Sequence, residues 1–199
     1  MNPLDGPLPA EGGVHSPEGV RRIRALRFSH SAVVTAWRQR EREMLGLGAD
    51  VALATARSWN EGGKVVSFEA GDDEFALSAR TLGTHPSVFV FDPRPIWKLM
   101  GRGDWDVFDF HEEPGSLAVG ELLVLRWLDM FRRRRREPRH KGTGEAPGTR
   151  RAGRIPFTFY SAQNIPKHYP PPFRWIERRA LKTAGGAYVC NEAAGDILL

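Results

Sequence analysis

The most constraining feature of this chain is a repeated sequence. A short apolar run comes first, then a polar loop, then a stretch with apolar residues at helical spacing. Arg22-Ile23-Arg24-Ala25-Leu26-Arg27-Phe28 alternates polar and apolar and reads as a first strand. Ser29-His30-Ser31 follows as a loop, and residues 35–47 read as a helix with Trp37, Met44 and Leu45 on one face and Gly46 and Gly48 as stop signals. Residues 51–55 form a second strand, 64–69 a third, and 75–82 a short helix. Val88-Phe89-Val90-Phe91 is a further strand, after which Asp92-Pro93-Arg94-Pro95 opens a helix to about residue 102. Val107-Phe108-Asp109-Phe110 runs straight into His111-Glu112-Glu113-Pro114. Ser116 can cap the next helix, 117–131, which is apolar almost all round and is expected to be buried. A strand over 155–160 ends in Ser161-Ala162-Gln163-Asn164. Pro172 then leads into a helix with Phe173, Ile176, Ala180, Leu181 and Ala184 at helical spacing, closed by Gly185. Residues 187–190 are a last strand with Cys190 in the core, and Asn191 caps a helix that begins at Glu192.

Strands alternating with helices predict an α/β fold, an open and mostly parallel Rossmann-like sheet with helices on both faces. At 199 residues the chain fits one domain over 21–199. Such a domain buries roughly 70% of the unfolded chain's surface and needs neither disulfide nor metal to hold a core. Residues 1–20, rich in Pro and Gly, read as a disordered tail. Cys190 is the single cysteine, which suits a reducing, cytoplasmic location. No run approaches the ~18 apolar residues of a membrane span, and the opening Met1-Asn2-Pro3-Leu4-Asp5 does not read as a signal peptide. The last helix stops on Leu198-Leu199 without a cap or a following strand, which reads as a truncation.

Charge is distributed unevenly. Residues 132–154 carry ten basic side chains against Glu137 and Glu145, a net of +8, so in a chain of net +5 the remainder is slightly acidic at −3. This segment reads as a flexible, solvated insertion. Its run of Arg132, Arg133, Arg134, Arg135 and Arg136 offers peripheral contact with an anionic membrane at the inner face. No nucleic acid is expected, because no aromatic residues are interleaved to stack bases. The six histidines show no metal-ligand spacing, and no G-x-G-x-x-G or Walker sequence is present, so no metal and no dinucleotide or ATP site of those types is expected.

Ligands of parallel sheets sit outside the carboxyl ends of the strands. Three post-strand loops there concentrate polar groups: Ser29-His30-Ser31, His111-Glu112-Glu113-Pro114 and Ser161-Ala162-Gln163-Asn164, with Asn191 after the last strand. Hydroxyl, imidazole, carboxylate and amide groups together suit a many-hydroxyl ligand such as a sugar, whose hydroxyls each want a donor and an acceptor. Glu112 and Glu113 should point to opposite sides, leaving one for the cleft and one in solvent.

In these residues the chain resembles the N-terminal domain of the retaining, family-four glycosyltransferases with the GT-B fold. Four features carry the likeness. They are the loop-to-helix stretch beginning His30-Ser31-Ala32-Val33-Val34-Thr35-Ala36-Trp37; the helix exit Leu47-Gly48-Ala49-Asp50-Val51, with Ala49 where His is common; Asp106-Val107-Phe108-Asp109-Phe110-His111-Glu112-Glu113-Pro114, like the family's strand ending in His-Glu-Pro; and Tyr160-Ser161-Ala162-Gln163-Asn164 followed by Ala187-Tyr188-Val189-Cys190-Asn191. Together they cover residues 22–199.

The resemblance implies an acceptor-side half of a two-domain transferase. A nucleotide-sugar donor would be held by a second domain, in the same or a separate chain, and the acceptor would be a sugar or glycolipid-type molecule. Many relatives carry a histidine after the strand matching 157–160, and this chain has Ser161-Ala162-Gln163-Asn164 there; the usual Gly-Gly after the first strand is Ser31-Ala32-Val33. No catalytic base is therefore assigned. The family's proposed front-face mechanism, in which the donor's own phosphate takes the acceptor proton, does not require one. Two other readings compete: a non-catalytic half-domain that binds a partner chain, and a membrane-surface or nucleic-acid binder acting through residues 132–154.

Overall fold

A computed structural model describes residues 21–136, 154–163 and 168–198. The tail over 1–20, most of the basic insertion and Asn164 lie outside the described residues. The chain runs β1 (Arg24–Ser29), α1 (Gln39–Gly46), β2 (Asp50–Ala56), β3 (Ser58–Glu61), β4 (Lys64–Ser67), β5 (Ala76–Ala79), β6 (Thr81–Leu82) and β7 (Val90–Phe91). It continues through α2 (Pro93–Arg102), β8 (Val107–Phe110), α3 (Leu117–Arg136), β9 (Phe157–Ser161), α4 (Phe173–Thr183), β10 (Gly186–Val189) and α5 (Glu192–Asp196). Six strands form one all-parallel sheet in the order β10-β9-β8-β1-β2-β5. Counted along the sheet's own strands this is the doubly wound order, and its direction reverses between β1 and β8. The expected α/β, Rossmann-like sheet is therefore the one observed.

The two faces of the sheet differ, and the period-2 pattern explains why. Leu26, Phe108 and Phe157 lie in register, as do Phe28, Phe110 and Phe159, and all six are buried. Their rings pack edge-on and stacked, with Phe28 5.7 Å from Phe110 and Phe110 4.7 Å from Phe157. Ile96, Leu99 and Met100 of α2 and Val119 and Leu122 of α3 close this face into the main core. The opposite face brings Arg27, Asp109 and Thr158 into register and receives α1. Buried Arg27 pairs there with buried Glu41 of α1, and its Nε lies 3.7 Å from Asp109, while Arg40 of α1 reaches Asp109 at 3.4 Å.

The helix expected at 35–47 forms over a shorter span: two 3-10 turns, Ser31–Val33 and Thr35–Arg38, precede α1. Of the expected apolar face, Leu45 packs against the cluster of Ala32, Leu53, Phe75 and Ala76, but Trp37 is exposed, and the buried residues are Arg38, just before α1, and Glu41 within it. The helix sits over charges, so it presents charges.

Three further expectations change. Residues 75–82 hold two short strands and no helix: β5 pairs in parallel with β2 from Leu53 to Ala56 and β6 pairs with β7, and pairing outweighs the helix propensity of Ala and Leu. A hairpin of β3 and β4 appears at 58–67; Gly62 and Gly63 both have positive φ, the geometry of a two-residue turn. The helix at 117–131 is not buried all round. Val124, Trp127, Leu128 and Phe131 are exposed, and α3 continues into the basic run. It continues because Asp129 accepts from both Arg132 and Arg133, and these arginines donate to Trp97, Met100 and Gly103 carbonyls at the end of α2. Cys190 is exposed rather than in the core, and Leu181 faces outward. Among the described residues no helix is long and apolar enough to cross a membrane.

One buried carboxyl couples this packing to pH. Glu121 of α3 accepts from the Phe91 amide at 2.8 Å. Burial pushes its carboxyl up to about 7; the Phe91 bond opposes the shift and Asp92 adds to it. The folded value lies above the unfolded one, so the favourable contribution is complete below about pH 4 and is lost as pH rises to about 7. Glu121→Gln keeps the acceptor and removes the titration. Urea unfolding across this range should show wild-type stability falling relative to the variant by on the order of 2 kcal/mol.

Candidate functional site

The carboxyl ends of β1 and β8 meet at the point where strand order reverses, the place parallel sheets use for ligands. His30 leaves β1 and Glu112 leaves β8. The Glu112 carboxylate accepts from the His30 backbone amide at 2.7 Å and lies 2.6 Å from His30 Nδ1. Glu112 is buried and the His30 side chain is 15% exposed. The imidazole packs against the contacting pair Trp59 and Phe89, with ring centroids 4.4 and 5.0 Å away and the two rings 4.8 Å from each other, and Thr55 Oγ1 donates to the His30 carbonyl at 3.3 Å. A carboxylate on Nδ1 favours the Nδ1–H tautomer and leaves Nε2 as a proton acceptor. Ser29 and Ser31 join their hydroxyls beside it, 3.0 Å apart.

Glu113, in the loop past the end of β8, turns toward β9 while Glu112 turns toward β1, and neither carboxylate stands in solvent. Glu113 is half-buried; it accepts from Ser161 Oγ at 3.1 Å and from the Ala162 amide at 2.8 Å, tying β8's loop to β9's. Gln163 is buried and its Oε1 accepts from the Tyr169 hydroxyl at 2.9 Å, which leaves the amide NH2 as donor. His111 belongs to a third group. Its Nδ1 lies 2.8 Å from the Tyr188 hydroxyl, which donates to Asp109 at 3.2 Å, so Nδ1 carries the hydrogen. Its ring stacks on Tyr160 at 4.3 Å. Asn191 is the cap of α5, its Oδ1 accepting from the Ala194 amide at 2.9 Å.

The structure thus brings Ser29, His30, Ser31 and Glu112 into one cluster and Glu113, Ser161 and Gln163 into a neighbouring one. Asn191 has a local bond that accounts for it. Trp59 and Phe89, the walls around His30, went unread in the sequence, as did Asp109, Tyr188 and Arg40. Asp109 did carry a signal: it is a charge inside the apolar run Val107-Phe108-Asp109-Phe110. Among the described residues no group of three or more His, Cys, Asp or Glu side chains is placed to hold a metal ion.

Electrostatics separate the two histidines. Burial, then the positive charges of Arg27 and Arg40 and the neighbouring His30, push His111 down to about 3. Its folded value lies below the unfolded 6.5, so the favourable contribution is present above that pH and is lost as pH falls toward about 3. Imidazole NMR shifts of His111 at pH 5 should remain those of the neutral Nδ1–H form; a protonated ring there would refute the assignment. Tyr188 is raised by burial and by Asp109, against Arg27 and Arg40, so it stays a neutral hydroxyl.

No family model, curated protein or solved structure matches this chain.

Proposed function

We propose that this chain is the acceptor-side half of a glycosyltransferase of GT-B type, which transfers a sugar from a nucleotide-sugar to a hydroxyl acceptor. The observation that carries the reading is the His30–Glu112 pair at the β1/β8 switch point, with the Glu113–Ser161 clamp beside it. Both are built from motifs that resemble that family. His30 Nε2 is an acceptor for an incoming hydroxyl's proton, and Gln163 supplies amide donors. Glu113 holds the β9 loop in place through Ser161 and Ala162. The nucleotide-sugar is held by a second domain facing this edge.

The test is ¹H–¹⁵N NMR titration of the chain with a panel of alkyl glycosides and polyols. The expected result is saturable shifts at His30, Glu113 and Ala162 for one class of saccharide. Shifts produced at these positions only by dinucleotides, or by no polyhydroxy ligand at all, would overturn the reading.

A further inference from the structure

The outer surface of α3 and α4 lies away from this site and has its own chemistry. Along α3, Gly120, Val124, Trp127, Leu128 and Phe131 recur at helical spacing and form one stripe. Val124 is 56% exposed and Trp127 45%; across the gap, Trp175 of α4 is 65% exposed. An open hollow of about 320 Å³ runs between the two helices, walled by Val124, Trp127, Trp175 and Ile176. Trp127 is shared with a second, shallower hollow of about 710 Å³ against Trp97 and Phe131. The two make one continuous apolar surface rimmed by aromatic rings.

Its charges have a single sign. Arg126, Arg154 and Arg179 converge on the first hollow, and Arg132 and Arg135 border the second. Arg126 donates to the Ile155 carbonyl. Burial, with the like charges of Arg154 and Arg179, pushes it down to about 10. Neither hollow is lined by a carboxylate. Both acids adjacent in sequence to this stripe are engaged elsewhere: buried Asp129 with Arg132 and Arg133, and Glu121 with the Phe91 amide.

We propose that the α3–α4 face docks on an anionic phospholipid bilayer, with Trp127, Trp175 and Phe131 at the headgroup–acyl boundary and Arg135, Arg154 and Arg179, the accessible basic side chains of the rim, on lipid phosphates. Indole rings partition to that boundary because one end is apolar and the other carries an N–H donor. Guanidinium groups pair with phosphate through a planar fork. An interfacial surface needs both terms, an apolar strip and a basic rim, and this face has them together. A second copy of the chain is a poor occupant, since a twofold contact would set arginine against arginine.

The full chain should be tested by co-sedimentation with vesicles of phosphatidylcholine alone and of phosphatidylcholine mixed with phosphatidylglycerol. Binding to the mixed vesicles only, weakening with salt, is expected. The double variant Trp175→Ser, Arg179→Glu changes two exposed side chains and should lower partitioning at least about tenfold with an unchanged Tm. Tryptophan quenching by bromine-labelled acyl chains should fall in parallel. Four results would overturn the proposal. Binding could persist in the double variant, which would place it elsewhere on the chain. Neutral vesicles could bind equally. Soluble glycerol phosphate could compete fully, marking a free-phosphate site. Self-association or duplex DNA binding could depend on Trp175 while vesicle binding does not.

Discussion

Replacing Arg38 by methionine should cost the fold about 3–5 kcal/mol, a large share of the 5–15 kcal/mol that holds an ordinary domain together. Arg38 is fully buried, and its guanidinium does not simply neutralise one acid. Nε donates to the Ala32 carbonyl at 2.7 Å and NH2 to the Val33 carbonyl at 3.1 Å, so it caps the turn that follows His30. NH1 donates to the Glu69 carbonyl at 2.8 Å and to Asp73 at 3.1 Å, and the group lies over the Phe68 ring at 4.6 Å. One side chain thus joins the turn after β1 to the segment leading into β5. Methionine fills much of the volume but leaves those carbonyls without donors in a buried site, and each unsatisfied group costs about 1–3 kcal/mol. Lysine should rescue little, since an ammonium cannot reproduce the fork.

Arg42 also donates to Asp73, at 2.8 Å. Burial raises the Asp73 carboxyl, but hydrogen bonds from Arg42 and Arg38 outweigh it and the net shift is downward. That stabilisation is present above the unfolded pKa and is lost as pH falls through the folded value. Without Arg38 the folded pKa of Asp73 moves back toward the unfolded value, so the acid limb due to Asp73 should be shallower in Arg38→Met and the gap to wild type should narrow as pH falls. Urea unfolding at neutral and acid pH measures both effects; a loss under about 1 kcal/mol would mean that water replaces the guanidinium.

Arg38 also shows where reading from the sequence stops. Five of the six strands of the parallel sheet are legible as short apolar runs, β5 alone reading as helix, and the alternation of strands with helices suffices for the parallel sheet. For the helix at 35–47 periodicity marks Leu45 but misses buried Glu41 and misplaces Trp37, because the partner is a sheet surface bearing Arg27 and Asp109, residues far away in the chain. Periodicity assumes an apolar partner, and here the partner is charged. The hairpin at 58–67 had a local signal, Gly62-Gly63 between strand formers, that was passed over. The apolar stripe of α3 was visible, but a stripe reads as core whatever covers it, and only the fold shows Val124 and Trp127 facing outward. At the site, position after a strand marked His30, Glu112, Glu113 and Ser161. Which carboxylate would meet His30 depended on the pairing of β1 with β8, a contact between residues 82 positions apart.

That pairing carries the second large effect. On the transferase reading proposed above, Glu112→Gln should reduce sugar transfer, measured with the donor-binding half that reading calls for, by about 10²–10⁴-fold in kcat, with KM for the acceptor little changed. The two side chains are isosteric, and the glutamine carbonyl can still accept from the His30 amide, so the fold should be kept. The change falls on the ring. Glutamate accepts the Nδ1 hydrogen and leaves Nε2 free to take a proton. Glutamine presents its NH2 to Nδ1, which must then become the acceptor, and the hydrogen moves to Nε2. The imidazole stays in place against Trp59 and Phe89 but is in the wrong tautomer to act as a base. A structural role for Glu112 predicts a different pattern, a lower Tm and an ordinary kcat in whatever fraction remains folded. If kcat stays within a few-fold of wild type, the donor phosphate takes the acceptor proton, as in a front-face mechanism. His30 and Glu112 then hold the switch point in shape and take no part in proton transfer.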